Sequence, residues 1–125
     1  MAIGAGLEGD ELYNYMAQHG ITVVAPGDGT VGMGGGWIAS GGHGTLVSYL
    51  GLGADQVLSL NVVTADGGFV TASPLDNEDL FFALRGGGGS EHPLVCWLFH
   101  PHTCAFIVTV SVTQPTDQMQ APTVL

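Results

Sequence analysis

Positive charge is almost missing from this chain. Its 125 residues hold one cation, Arg85, and no lysine, against 11 carboxylates, for a formal net charge of −10. Affinity for nucleic acid comes from Lys and Arg neutralising phosphates, so the composition argues against a nucleic-acid partner. The same shortage argues against an anionic membrane surface. Charge of either sign is scarce, with 10% of residues charged against roughly 25% in an average soluble domain. No apolar run approaches the roughly 20 residues that cross a bilayer. Met1-Ala2-Ile3-Gly4 has neither the charged start nor the apolar core of a signal peptide, so none is expected here. Cysteine is limited to Cys96 and Cys104. They say little about compartment and read as free thiols in an apolar tail, with pairing as the alternative.

What the chain does have is glycine. Residues Gly27 to Gly44 (GDGTVGMGGGWIASGGHG) are half glycine. Each glycine costs roughly 0.5–1 kcal/mol of backbone entropy relative to alanine, so no ordinary helix or strand tolerates that density. Such a run persists where the backbone must approach something closely. The usual something is a phosphate or a flat polar ligand held by main-chain N–H groups. Since side-chain cations are missing, backbone amides and helix N-termini would have to hold any phosphorylated ligand. The 46% hydrophobic content suffices for the core of one domain, or of part of one.

Around this stretch the chain reads as scaffold. Asp10 to His19 predicts a helix with Leu12, Tyr15 and Met16 on one face and acids in its first turn. Gly20 is its terminator. Ile21 to Ala25 (ITVVA) predicts a buried strand. Trp37 to Ala39 fits a turn of helix, and Thr45 to Gly53 fits loop with a short helix. Gln56 to Thr64, the turn Ala65 to Gly68 and Phe69 to Ala72 predict a hairpin. Asn77 is placed as the cap of a short apolar helix ending at Leu84. Ala105 to Thr113 predicts one strand, and Gln114 to Leu125 is proline-bearing.

Two literal G-x-G-x-x-G patterns occur. Gly4 to Gly9 runs into a helix, with Asp28 about twenty residues on, which outlines a dinucleotide-binding fingerprint. Three residues before Gly4 leave little for the first strand that fingerprint needs. The second pattern, Gly27 to Gly32, opens no helix long enough to pack. Each is a weak signal alone.

The ordered series of blocks is more specific. It runs Thr30-Val31-Gly32, Gly35-Gly36-Trp37-Ile38-Ala39-Ser40-Gly41-Gly42-His43-Gly44, Tyr49 with Gly51 to Asp55, Val62 to Gly67, and Asn77 to Gly89. With this order and spacing, the sequence over roughly Ile3 to Ser90 resembles the FAD-binding domain of the vanillyl-alcohol oxidase / p-cresol methylhydroxylase flavoproteins. The similar branch is the berberine-bridge-enzyme-like oxidases. The resemblance implies an α+β chain, part of a two-subdomain FAD-binding fold of the p-cresol methylhydroxylase type. It implies an extended FAD whose pyrophosphate lies over glycine-rich loops. It places Thr30, Val31, Gly32, Gly36, Gly41, Gly42, His43 and Gly44 along the cofactor. It also implies a flavin-dependent oxidoreductase acting on an alcohol, sugar or similar C–H donor, with a small-molecule substrate.

Two departures from the family pattern sharpen this expectation. That branch often attaches FAD through a histidine and a cysteine, and the cysteine position falls on Asp28, so any FAD is expected to be non-covalent there. The upstream pyrophosphate loop and the substrate domain find no counterpart in these residues, and the catalytic residues are therefore unknown. The expected organisation is a partial FAD-binding domain over 1–90 and a divergent tail over 91–125. Glu91 to Ala105 reads as an insertion or a frame-altered segment. Two further readings stand beside the oxidoreductase: an inactive remnant that retains no flavin, and a Rossmann-like nucleotide-binding module. His92, Cys96, His100, His102 and Cys104 are metal-ligand types, but their spacing fits no zinc module, and no metal site is assigned. Glu78 and Asp79 read as a helix start rather than an acid/base couple, and no G-x-S-x-G elbow occurs.

Overall fold

A computed structural model describes residues 1–87 and the backbone of 106–112. Among the described residues the sheet has four strands: β1 (Ala2–Gly4), β2 (Val57–Val63), β3 (Phe69–Ala72) and β4 (Phe106–Val112). Their spatial order is β1-β4-β2-β3 and every pair is antiparallel. The helices are α1 (Gly9–His19), α2 (Val47–Leu50) and α3 (Glu78–Leu84), with a short π turn at Met33–Trp37 and a 3-10 turn at Gly53–Gln56. The fold is α+β, as expected.

The sheet separates its faces by the period of two. Ile3 stands opposite Val110, Val110 opposite Leu60, and Leu60 opposite Ala72. Ile3, Leu60 and Ala72 of that row are all buried. The neighbouring row is polar: Asn61 stands opposite both Thr71 and Thr109, and the Thr71 hydroxyl donates to Asn61 Oδ1 at 2.9 Å. Leu12, Met33, Ile38, Phe81 and Leu84 join the buried row in one core cluster. The antiparallel sheet thus carries one apolar face against helices, and an opposite, more exposed face where Asn61 and Thr71 stand beside Val63 and Phe69.

The hairpin forms where the alternating strands and the Ala65–Gly68 turn predict it. Gly67 takes φ +84°, and the turn is tied by Gly67 N–H to Thr64 O at 2.9 Å and Thr64 N–H to Gly68 O at 2.8 Å. Helix α1 ends at Gly20, in the left-handed conformation with φ +62°, as a C′ glycine should.

Three local expectations need correction. Ile21 to Ala25 joins no ladder. Val23 and Val24 are buried outside any strand, so the β-branched run reports burial, not pairing. Tyr15 is exposed while Leu12 is fully buried, so the buried stripe of α1 is narrower than the spacing suggests. Asn77 makes no side-chain cap to α3; its Nδ2 donates to Thr71 O at 2.7 Å, and the residue sits at φ +51°. The strand expected near 105–113 is β4. Gln114 to Leu125, the Glu91 to Ala105 segment and the His/Cys group at 92–104 lie outside the described residues.

Candidate cofactor site

The site is built from two glycine loops, each held by a different part of the chain. The first is Gly27 to Met33, laid along the start of α1. Gly9 N–H donates to Val31 O at 3.0 Å, Asp10 N–H to Gly29 O at 2.8 Å, and Met33 N–H to Leu7 O at 3.1 Å. Glu8 and Gly32 form an isolated antiparallel bridge between these bonds. The loop approaches so closely that a Cβ on Gly29 would run into the Asp10 carboxylate. Part of the glycine density therefore serves the chain's own packing.

This arrangement also removes the dinucleotide fingerprint at Gly4 to Gly9. That motif needs a parallel sheet and a helix N-terminus free to face a pyrophosphate. Here β1 is antiparallel to its neighbour, and the first N–H groups of α1 are spent on loop carbonyls.

Within the first loop, Asp28 and Thr30 close on each other. Asp28 Oδ1 accepts the Thr30 N–H at 2.8 Å and the Thr30 hydroxyl at 2.7 Å. The hydroxyl first, and the N–H second, hold the Asp28 carboxyl below the usual carboxylate range. Thr30 is exposed and Val31 and Gly32 are half-buried. The N–H groups of Gly27, Asp28, Gly29 and Gly32 donate to no acceptor among the described residues.

The second loop is Gly41 to Gly44. Gly41 and Gly42 take φ +102° and +73°, a region that side chains rarely enter. The turn is fastened to the 3-10 turn by Gly53 N–H to Gly42 O at 2.7 Å and Ala54 N–H to Gly41 O at 3.0 Å. Trp37 Nε1 donates to His43 O at 3.1 Å. A Cβ on Gly44 would run into the Ala25 carbonyl. His43 is exposed, and the N–H groups of Gly42, His43 and Gly44 donate to no acceptor among the described residues.

Two turns thus carry unspent main-chain donors with almost no positive side-chain charge to assist them. Arg85, the single cation, is spent on Ala54 O at 2.6 Å. That donor set suits an uncharged or diphosphate-bearing cofactor bound by backbone. A family model described as an FAD binding domain matches residues 1–73.

The chain belongs to this FAD-binding domain family. An FAD-linked oxidoreductase of Phaeosphaeria nodorum is 48% identical over 92 residues, which are 74% of this chain and 21% of that protein. An FAD-linked oxidoreductase of Gibberella zeae is 38% identical over 122 residues, 95% of this chain and 22% of that protein. Among solved structures, a VAO-type flavoprotein of Myceliophthora thermophila matches with a TM-score of 0.76 and 37% identity, over 90% of this chain and 18% of its own. A glucooligosaccharide oxidase of Acremonium strictum, whose FAD is 6-S-cysteinyl and 8α-N1-histidyl, matches at 0.72 and 28%, over 90% and 21%. The chain spans about a fifth of the length of the relatives it matches. The fold is that of the vanillyl-alcohol oxidase type, and FAD is the cofactor of the family. Among the described residues, no helix is long and apolar enough to cross a membrane.

Sequence reading singled out Thr30 to Gly32, Gly36 and Gly41 to Gly44. The structure puts the first group on one loop, the last on a second, and Gly36 in the π turn between them. It adds Trp37, Gly53, Ala54 and Asp10, which sequence reading placed in the family blocks or on α1 without assigning them to the site, and which shape the loops.

Proposed function

We propose that this chain supplies the two glycine loops that hold FAD in a flavin-dependent oxidoreductase. The observation that supports the reading is the set of unspent N–H groups at Gly27, Asp28, Gly29, Gly32, Gly42, His43 and Gly44. Thr30, Val31, Gly32 and Gly36 would line one side of the cofactor, and Gly41 to Gly44 the other. Bound flavin supplies the redox chemistry, accepting a hydride from an alcohol, sugar or similar C–H donor.

The protein's own contribution is position. Positive φ at Gly41 and Gly42 shapes the Gly41–Gly44 turn, and Asp28 fixes the first loop through Thr30. A carboxylate at position 28 cannot form the sulfur link of a cysteinyl flavin, so attachment at this position is non-covalent. The substrate is a small molecule handled by the whole oxidoreductase, of which these residues are a part.

A flavin test decides the matter. The purified chain is mixed with FAD, and its visible absorbance is read before and after denaturation and filtration. Flavin retained on the native chain and released to the filtrate is the expected result. A chain that stays colourless with added FAD would instead support an inactive remnant.

A further inference from the structure

Arg85 is the one cation of the sequence, and its side chain is half-buried against the fold. Its Nε donates to Ala54 O at 2.6 Å. Its guanidinium lies 4.8 Å from the centroid of the Phe81 ring, and one terminal nitrogen stands 3.8 Å from Asp55 Oδ1. The other Asp55 oxygen accepts the Leu52 N–H at 2.8 Å. Arg85, at the end of α3, therefore holds the 3-10 turn at two neighbouring groups, the Ala54 carbonyl and the Asp55 carboxylate, and Asp55 in turn ties back to Leu52.

The same turn carries the cofactor loop. The N–H of Ala54 donates to Gly41 O, and that of Gly53 to Gly42 O. Ala54 thus bonds Arg85 on its carbonyl side and Gly41 on its amide side. An ammonium on a flexible stem would not reproduce this, because the planar fork fixes direction as well as charge.

We propose that Arg85 is a positioning residue for the Gly41–Gly44 turn, acting through Ala54, and that its loss loosens the turn's grip on FAD without unfolding the sheet. This rests on the reading of the turn as cofactor-facing. The test is amide hydrogen exchange on the full chain, with FAD titration alongside, for wild type, Arg85→Gln and the milder Arg85→Lys. In Arg85→Gln, exchange at Gly53 and Ala54 rises about tenfold while the β2–β3 ladder keeps its protection, and FAD binds about tenfold more weakly, as for loss of one charge-assisted hydrogen bond. The visible circular dichroism of bound flavin changes in the same variant. Arg85→Lys, which keeps charge and stem, falls between the two and serves if the glutamine variant does not fold.

Unchanged exchange at Gly53 and Ala54 would overturn the proposal. So would equal acceleration across the whole chain, which would make Arg85 a general stabiliser. Local loosening with undiminished FAD affinity would overturn it as well. A wild-type chain that takes up no FAD sinks the flavin reading instead, and the Gly53 and Ala54 exchange then decides by itself whether Arg85 holds the turn.

Discussion

The indole N–H of Trp37 donates to the main-chain carbonyl of His43 across 3.1 Å. The same ring occupies the space beside Gly42, where an added Cβ would stand 2.9 Å from it. One side chain thus shapes the Gly41–Gly44 turn twice, by a hydrogen bond and by volume. Replacing it with phenylalanine keeps much of the volume and removes the donor. Trp37→Phe is expected to cost about 1 kcal/mol, the net worth of one such bond, read as a lowered Tm. FAD affinity should fall with it. A variant as stable as wild type would show that the bond carries no weight.

Gly42 and Gly27 should part company. Gly42 has φ +73° and a crowded neighbourhood, so Gly42→Ala costs about 1–3 kcal/mol from left-handed strain and overpacking. Gly27 has nothing within 4 Å of a built Cβ. Gly27→Ala should leave stability within about 0.5 kcal/mol of wild type, while a methyl added on the cofactor-facing loop weakens FAD binding. Thermal unfolding and flavin titration of the two variants separate packing from binding. Equal FAD affinity in Gly27→Ala would remove that residue from the cofactor's path.

Acid should destabilise the folded chain through two exposed turns. The carboxyls of Asp28 and Asp66 are both lowered, the first by the Thr30 hydroxyl and N–H, the second chiefly by the Thr64 hydroxyl. A carboxyl lowered in the folded state contributes stability above its unfolded value, near pH 4, and loses it as pH falls through the folded value. Denaturant midpoints should therefore drop below about pH 4. The drop should be shallower in Asp28→Asn and Asp66→Asn, which have no carboxyl to protonate. Parallel curves for wild type and variants would contradict this.

Asn77 joins α3 to the sheet edge by donating to Thr71 O at 2.7 Å from a backbone at φ +51°. Asn77→Ala loses the bond and keeps the strain, for a cost of about 1–2 kcal/mol. Asn77→Gly loses the bond but relieves the strain, so it should cost less. Chemical denaturation of both variants gives the order, and an alanine variant at least as stable as the glycine variant would refute it.

The amino-acid sequence alone determined those features that depend on neighbouring residues. The β2–β3 hairpin follows from alternation and an Asp66-Gly67 turn, and the end of α1 from Gly20, because strand period and left-handed backbone are local properties. The α+β class and the FAD-binding resemblance were legible in the order of the glycine blocks, since that order survives without knowing any contact. The tertiary structure decided what those glycines are for. Gly29 and Gly44 are glycine partly because Asp10 and Ala25 come within contact of them, and no spacing rule links residues 19 apart in that way. It also decided that Val23 and Val24 of the Ile21 to Ala25 run are buried without pairing, since a β-branched run reports an apolar environment and not the presence of a partner strand. The path from Arg85 to Gly41 through Ala54 spans 31 residues in its first step. Only folding brings those groups together, because the Arg85 side chain and the Gly41 carbonyl both meet Ala54 through its backbone, and an alanine residue type carries no signal of either pairing.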